Sequence, residues 1–253
     1  MTSPTSAFCP LPSALLIVTA DDVGLDRGMT SGAIEAHRNG IVTACSIVAN
    51  GNEFQDAVAR LRDVPSLEVG VHLTLVEERA LTTGQTMPRN WMRFLFSNKA
   101  NVEAELRAQI ERVLATGLRV THLNGHQHLH QWPRINRIVR RLASEYGIGY
   151  VRVVNDRGGS SRRLSMAMLN VLGDASRKTI GVAEAGHLTA DRIIALLDYV
   201  TDVTELVAHP GVEVAGYSHW NYDWNRETDA LCDPRVREAI AKKNIDLIAP
   251  SKL

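Results

Sequence analysis

Four histidines fall on even-numbered positions within THLNGHQHLHQWP: His122, His126, His128 and His130, with Asn124 on the same parity. Imidazoles are common metal ligands and carry protons near neutral pH. A histidine without such a task is usually solitary and held by one hydrogen bond, whereas this run leaves several rings to satisfy at once. If the segment stays extended, these five side chains share one face. They cannot all reach one ion, because alternate residues on a strand lie about 7 Å apart. One metal ligand is expected from the segment, two at most. The other residues would then orient ligands, touch substrate or relay protons.

Three other stretches carry chemistry of the same kind. ADDVG places Asp21 and Asp22 side by side, so that one carboxylate can bind a cation while the other accepts a proton. VGVHLTL carries His72 with Thr74 two residues on, and LVAHPG presents His209 before a Pro-Gly turn. Each has a plainer reading. Acids before a helix cap it, a histidine in an apolar strand packs, and Pro-Gly makes an ordinary turn. Together they offer one carboxylate and two imidazoles for a divalent ion, with proton-transfer groups to spare. That donor set leaves positions for water and substrate, as in hydrolytic metal sites. Non-haem iron oxygenases use a similar triad, usually on an all-β frame that this chain does not resemble.

The elements that must position these residues alternate. ALLIVTA (14–20) reads as a buried parallel strand, and DRGMTSGAIEAHRNG as a helix ending at Gly40. IVTACSIV and LEVGVHLTL are expected strands, with EFQDAVARLRDV a helix between them. A polar stretch from about Glu77 to Lys99 follows, then the helix NVEAELRAQIERVLATG and the strand RVTHLNGHQ. PRINRIVRRLASEYG opens with Pro133 in its first turn, and GYVRVV is the next strand. NDRGGSSRR, from Asn155, reads as a loop; a helix (189–200), a strand ending in LVAHP, a helix from Asp233 and the strand IDLIA complete the order. Repeated β-α units predict a parallel sheet covered by helices. About seven strands suit a distorted or incomplete TIM-like (β/α) barrel, with an open doubly wound sheet as the alternative. In either, the C-terminal strand ends form the site, and all four candidate stretches lie there.

The totals set bounds. The 253 residues, 45% of them hydrophobic, fit a single domain over 1–253 with a sizeable core. Lys plus Arg and Asp plus Glu are 28 each, a balance that argues against a nucleic-acid partner or a charged membrane surface. Cys9, Cys45 and Cys232 are scattered, and the short apolar run after the N-terminus meets two aspartates. Both features point to a reduced, cytoplasmic protein without membrane insertion. A homodimer is neither implied nor excluded.

IVTADDVGLDRGMTSGAIEAHRNGIVTACSIVANG, VGVHLTL, THLNGHQHLHQWP and VAHPG, in this order, resemble the YdjC-like carbohydrate deacetylases, a family that includes chitooligosaccharide and hopanoid-associated deacetylases. The resemblance spans about residues 14–250 and implies a distorted (β/α) barrel, one divalent metal (zinc or magnesium) and an N-acetylated sugar as small-molecule substrate. It assigns the metal to Asp22, His72 and His126, the catalytic base to Asp21, and action on the leaving amine to His209. Beside these assignments, Asn124, His128, His130, Arg152 and Trp132 are expected at the substrate or in support of the ligands, and Trp91 is a further ring that could stack on a sugar. Asn124 stands where the family usually has Asp, and Val23 where an aromatic is common. A metal-dependent phosphoesterase and a non-catalytic metal- or sugar-binding homologue are the alternatives.

Overall fold

The computed structural model describes residues 14–97, 101–155 and 178–253. Strands β1 (Ala14–Val23), β2 (Ala44–Ile47), β3 (Glu68–Leu73), β4 (Val120–Gly125), β5 (Tyr150–Val151), β6 (Lys178–Ile180), β7 (Asp202–Ala208) and β8 (Ile245–Leu247) form one sheet. Seven lie in the order β5-β4-β3-β2-β1-β7-β6, every pair parallel. The eighth, β8, pairs Ile245–Leu247 with Ala14–Leu16, on the edge that β2 takes farther along β1. The two ends of the order meet where Thr179 N–H donates to the Asn155 carbonyl, 3.1 Å away, so the sheet curls into a distorted (β/α) barrel.

Helices α1 (Arg27–Arg38), α2 (Phe54–Arg62), α3 (Trp91–Leu95), α4 (Val102–Leu114), α5 (Pro133–Glu145), α6 (Ala190–Leu196), α7 (Trp224–Cys232) and α8 (Pro234–Lys242) complete the described elements. The expected strands and helices are present, most with shorter ends; β1 instead runs past the expected Ala20 to Val23 and takes in Asp21 and Asp22. Three elements had no sequence expectation: α3, inside the polar stretch, β6 and α7. The expected loop NDRGGSSRR lies, beyond Asn155, outside the described residues.

Side-chain alternation divides the sheet into two faces. Leu16, Val18 and Ala20 of β1, Cys45 and Ile47 of β2, Val69, Val71 and Leu73 of β3, and Leu123 of β4 join the main apolar core with the helices. The opposite parity (Thr19 and Asp21, Ser46, His72, Asn124, Tyr150 and Arg152, Glu205) hydrogen-bonds across the barrel interior. The inside of this barrel is therefore polar and charged, where branched apolar side chains usually fill it.

Two close approaches set its geometry. Gly70 lies beside His122 in the β3–β4 register, and a Cβ on Gly70 would stand 2.3 Å from the His122 imidazole. A Cβ on Gly32 of α1 would stand 2.3 Å from the Gly211 nitrogen, so only a bare Cα lets α1 pack against the turn after His209. Overpacking of this kind costs about 1–3 kcal/mol. Gly70→Ala should lower unfolding stability in urea by about that amount, and His122→Ala in the same chain should recover part of the loss; an unchanged midpoint for Gly70→Ala would contradict the packing.

Candidate functional site

Two adjacent strand residues normally point to opposite faces. β1 breaks this rule at its end. Its pairing with β2 shifts register between Ala20 and Val23, and Asp22 takes φ 65°, a left-handed conformation costly for a residue with a Cβ. The bulge turns both carboxylates into the barrel mouth, as their partners show.

Asp22 Oδ1 lies 3.2 Å from His72 Nε2 and 3.0 Å from His126 Nδ1. The three donor atoms fall within 4.8 Å of one another. The outer nitrogens of both rings are already engaged: His72 Nδ1–H donates to Asn124 Oδ1 at 2.7 Å, and His126 Nε2–H to Glu77 Oε2 at 3.2 Å. With those protons committed, the inner nitrogens present lone pairs to a carboxylate oxygen, an arrangement that calls for a cation between them. One carboxylate and two oriented imidazoles fit a divalent ion. Without an ion, a proton takes that place on His126. Burial disfavours its charged ring, but Asp22 and then Glu77 outweigh burial and push its pKa up to about 10.

Asp21 sits one step deeper. Arg152 Nη1 donates to its Oδ2 at 2.5 Å and Nη2 to its Oδ1 at 2.9 Å; Ser46 Oγ and Asn124 Nδ2 also donate to Oδ1. Burial alone would raise its pKa, yet Arg152 and His72 hold it well below the usual carboxylate range. Arg152 is 0% exposed and bonds Glu205 as well, so its charge serves these two acids and does not face solvent. Asn124 works in both directions, accepting from His72 while donating to Asp21 and Ser46. An aspartate there would lose the donors and set a second anion against Asp21.

His209 follows β7, with Nε2 3.9 Å from Asp22 Oδ2. Burial lowers its pKa despite the two nearby aspartates. Behind it, fully buried Glu227 accepts the His209 backbone N–H at 2.6 Å. Burial drives Glu227 up to about 8, although backbone N–H groups of His209, Leu188 and Gly186 favour its anion.

The histidine run behaves differently from the expectation of a regular strand. β4 ends at Gly125, and His126–Gln131 form a tight 3-10 turn in which Gln127 (φ 49°) and His128 (φ 56°) are left-handed. The five side chains therefore do not share a face. His122 and Asn124 point into the barrel, His126 reaches the ion site, and His130 Nε2 donates to the Arg152 carbonyl at 3.1 Å. His128 packs edge-on to His130. Burial lowers the pKa of His122 to about 4 and that of His130 to about 3. Trp132 and Trp91 rest on each other, ring centres 6.1 Å apart, against the main core.

Sequence reasoning passed over the rings that do line the site. Trp220 stacks on His126 with centres 5.2 Å apart, and Tyr222 stands edge-on to His209 at 5.4 Å. It also passed over Glu77 and Glu227. The aromatic spacing in GYSHWNYDW, just downstream of His209, was the available signal; neither glutamate carried one.

Two outcomes follow. Asn124→Asp should raise the pKa of Asp21 by setting a second carboxylate beside it, and should lower unfolding stability by about 1–3 kcal/mol, because the buried Asp21 and Ser46 oxygens lose their amide donor; an unchanged urea midpoint would show that the amide does not support Asp21. Between about 4.5 and about 8 the folded chain keeps Glu227 protonated while the unfolded chain ionises it. Its contribution is whole below that window and is lost as pH rises through it. Glu227→Gln should thus be the more stable protein near pH 9, by several kcal/mol, and the gap should close toward pH 5 in denaturant titrations.

Similarity to known proteins agrees with this geometry. A carbohydrate deacetylase of Brevibacillus brevis is 32% identical over 94% of this chain and 99% of its own length. A chitooligosaccharide deacetylase of Citrobacter koseri is 30% identical over 92% and 96%. Among solved structures, a protein of Enterococcus faecalis V583, provisionally described as a cellobiose-phosphate cleavage protein, superposes with TM-score 0.75 at 24% identity, covering 95% of this chain and 98% of that one. A family 4 carbohydrate esterase from Streptomyces lividans shares the fold at TM-score 0.53 and 15% identity, over 94% and 95%. The sequence profile described as YdjC-like protein matches residues 15–242, and the chain belongs to that family.

Proposed function

We propose that this protein is a metal-dependent N-deacetylase that releases acetate from an amino sugar or a small metabolite containing one. The observation that carries the reading is the convergence of Asp22, His72 and His126 beside an ionised Asp21 at the strand ends. The named activity of the curated relatives supports it. A divalent ion supplies Lewis acidity toward a carbonyl and lowers the pKa of water; two imidazoles among the donors favour zinc or a similar ion over magnesium.

The chain's own residues divide the remaining work. Arg152, Ser46 and Asn124 keep Asp21 ionised, ready to take a proton from the attacking water. Among the described residues its Oδ2 accepts from Arg152 alone, which leaves a lone pair for that proton. His209 stands across Asp22 and carries a proton to the departing nitrogen. The water loses one proton and the nitrogen gains one. Trp220 and Tyr222 stand against His126 and His209 and offer flat faces to a sugar ring. No described helix is long and apolar enough to cross a membrane, and Cys45 and Cys232 are free; we place the reaction in the cytoplasm.

The test is acetate release from a panel of N-acetylated amino sugars by protein stripped of metal and reloaded. Release should require the ion and vanish in His126→Ala. His209→Ala should lower kcat by about 10²–10⁴ while still binding the ion, and Asp21→Asn should be similarly impaired. Ion-loaded protein that releases acetate from no member would sink the hydrolase reading.

A further inference from the structure

Glu77 lies outside every motif that marks the site, in the loop after β3, yet it meets three parts of it. Its Oε2 accepts from His126 Nε2 and from Trp220 Nε1, each at 3.2 Å, and its Oε1 accepts from Gln127 Nε2 at 3.2 Å. Its own N–H donates to the Pro88 carbonyl at 2.9 Å, and its φ is 69°. A non-glycine residue kept in the left-handed region is strained, and such strain persists where the surroundings demand that conformation. Here the demand is visible: the turn swings the carboxylate back over the barrel mouth. Gln127 is held in turn, its Oε1 accepting Trp91 N–H at 3.0 Å.

We propose that Glu77 is the positioning residue of the metal centre, acting through His126. The proposal rests on the reading that Asp22, His72 and His126 hold the ion. An imidazole can rotate about its χ2 and can carry its proton on either nitrogen. A carboxylate on Nε2–H fixes both choices and makes Nδ1 the better donor. His72 receives a weaker version of this support from the neutral amide of Asn124. The two ligands are thus unequally equipped, with the charged partner on the ring that stands nearer the rim. Because Trp220 covers His126 and donates to the same Oε2, Glu77 also ties the loop after β7 to the ligand.

The test measures Zn²⁺ affinity by competition with a chromophoric chelator, with circular dichroism confirming that each variant is folded. Glu77→Ala should weaken Zn²⁺ binding by about 10- to 100-fold. Glu77→Gln, whose neutral amide oxygen still accepts from Nε2–H, should recover part of that loss. The deciding arm is a double-mutant cycle: with His126 replaced by Ala, Glu77→Ala should change the affinity by no more than about twofold. An unaltered affinity in Glu77→Ala alone would overturn the proposal. So would a loss of the same size with and without His126, which would make Glu77 a direct ligand or a remote charge. Wild-type protein that takes up no Zn²⁺ would instead overturn the metal site itself, and the proposal with it.

Discussion

A guanidinium with no access to water has to be matched by fixed acceptors, and Arg152 imposes this requirement on the whole barrel. Removing a charge from solvent costs several kcal/mol unless its hydrogen bonds are replaced. Asp21 and Glu205 replace them, drawing β1, the residue after β5, and β7 toward one point. Glu205 in turn accepts from Thr19 and Tyr150. The barrel interior is a connected polar network, so its side chains hold their orientations through bonds as well as through packing. That constraint lets Asp21 remain an anion at a depth where burial alone would protonate it.

The candidate metal site is built on top of this network by a second departure from regularity. The bulge at Asp21 and Asp22 turns two neighbours to the same side, giving one carboxylate to the guanidinium below and the other to the imidazoles above. Asn124 links the two levels, with one end of its amide on His72 and the other on Asp21. The His72 ring and the Asp21 carboxylate are therefore joined through two hydrogen bonds to a single amide.

Much of this was legible in the sequence. The β-α alternation predicted a barrel or an open parallel sheet, and the strand-end rule pointed to the stretches that carry Asp21, Asp22, His72, His126 and His209 in a chain with 9 histidines and 28 acids; the family resemblance then picked His126 out of its run. The parts that were not legible have definite causes. A period-two pattern cannot reveal where a strand stops, so His128 and His130 read as partners of His126 until Gln127 and His128 turned left-handed. Arg152 was expected either at the substrate or behind the ligands, and only the fold decides between them, by turning its guanidinium inward onto Asp21 and Glu205. Glu77 and Glu227 are ordinary glutamates in unremarkable surroundings, and only long-range folding brings them to His126 and His209. The short α3 and β6 fall below the length at which periodicity speaks.

The place of β1 in the sheet has a consequence for the order in which the chain becomes competent. It carries both aspartates, yet its neighbours along Ala14–Ala20 are Asp202–Ala208 on one side and, at its start, Ile245–Leu247 on the other. During synthesis the strand bearing Asp21 and Asp22 emerges among the first described elements and waits for some of the last. Contacts that close such long loops form late. Arg152 and Glu205 arrive 131 and 184 residues after Asp21, so a nascent chain through β4 holds an aspartate pair with no guanidinium to receive it. The carboxylates can stay in water until then, and the ionic network around Asp21 is complete only when β7 docks.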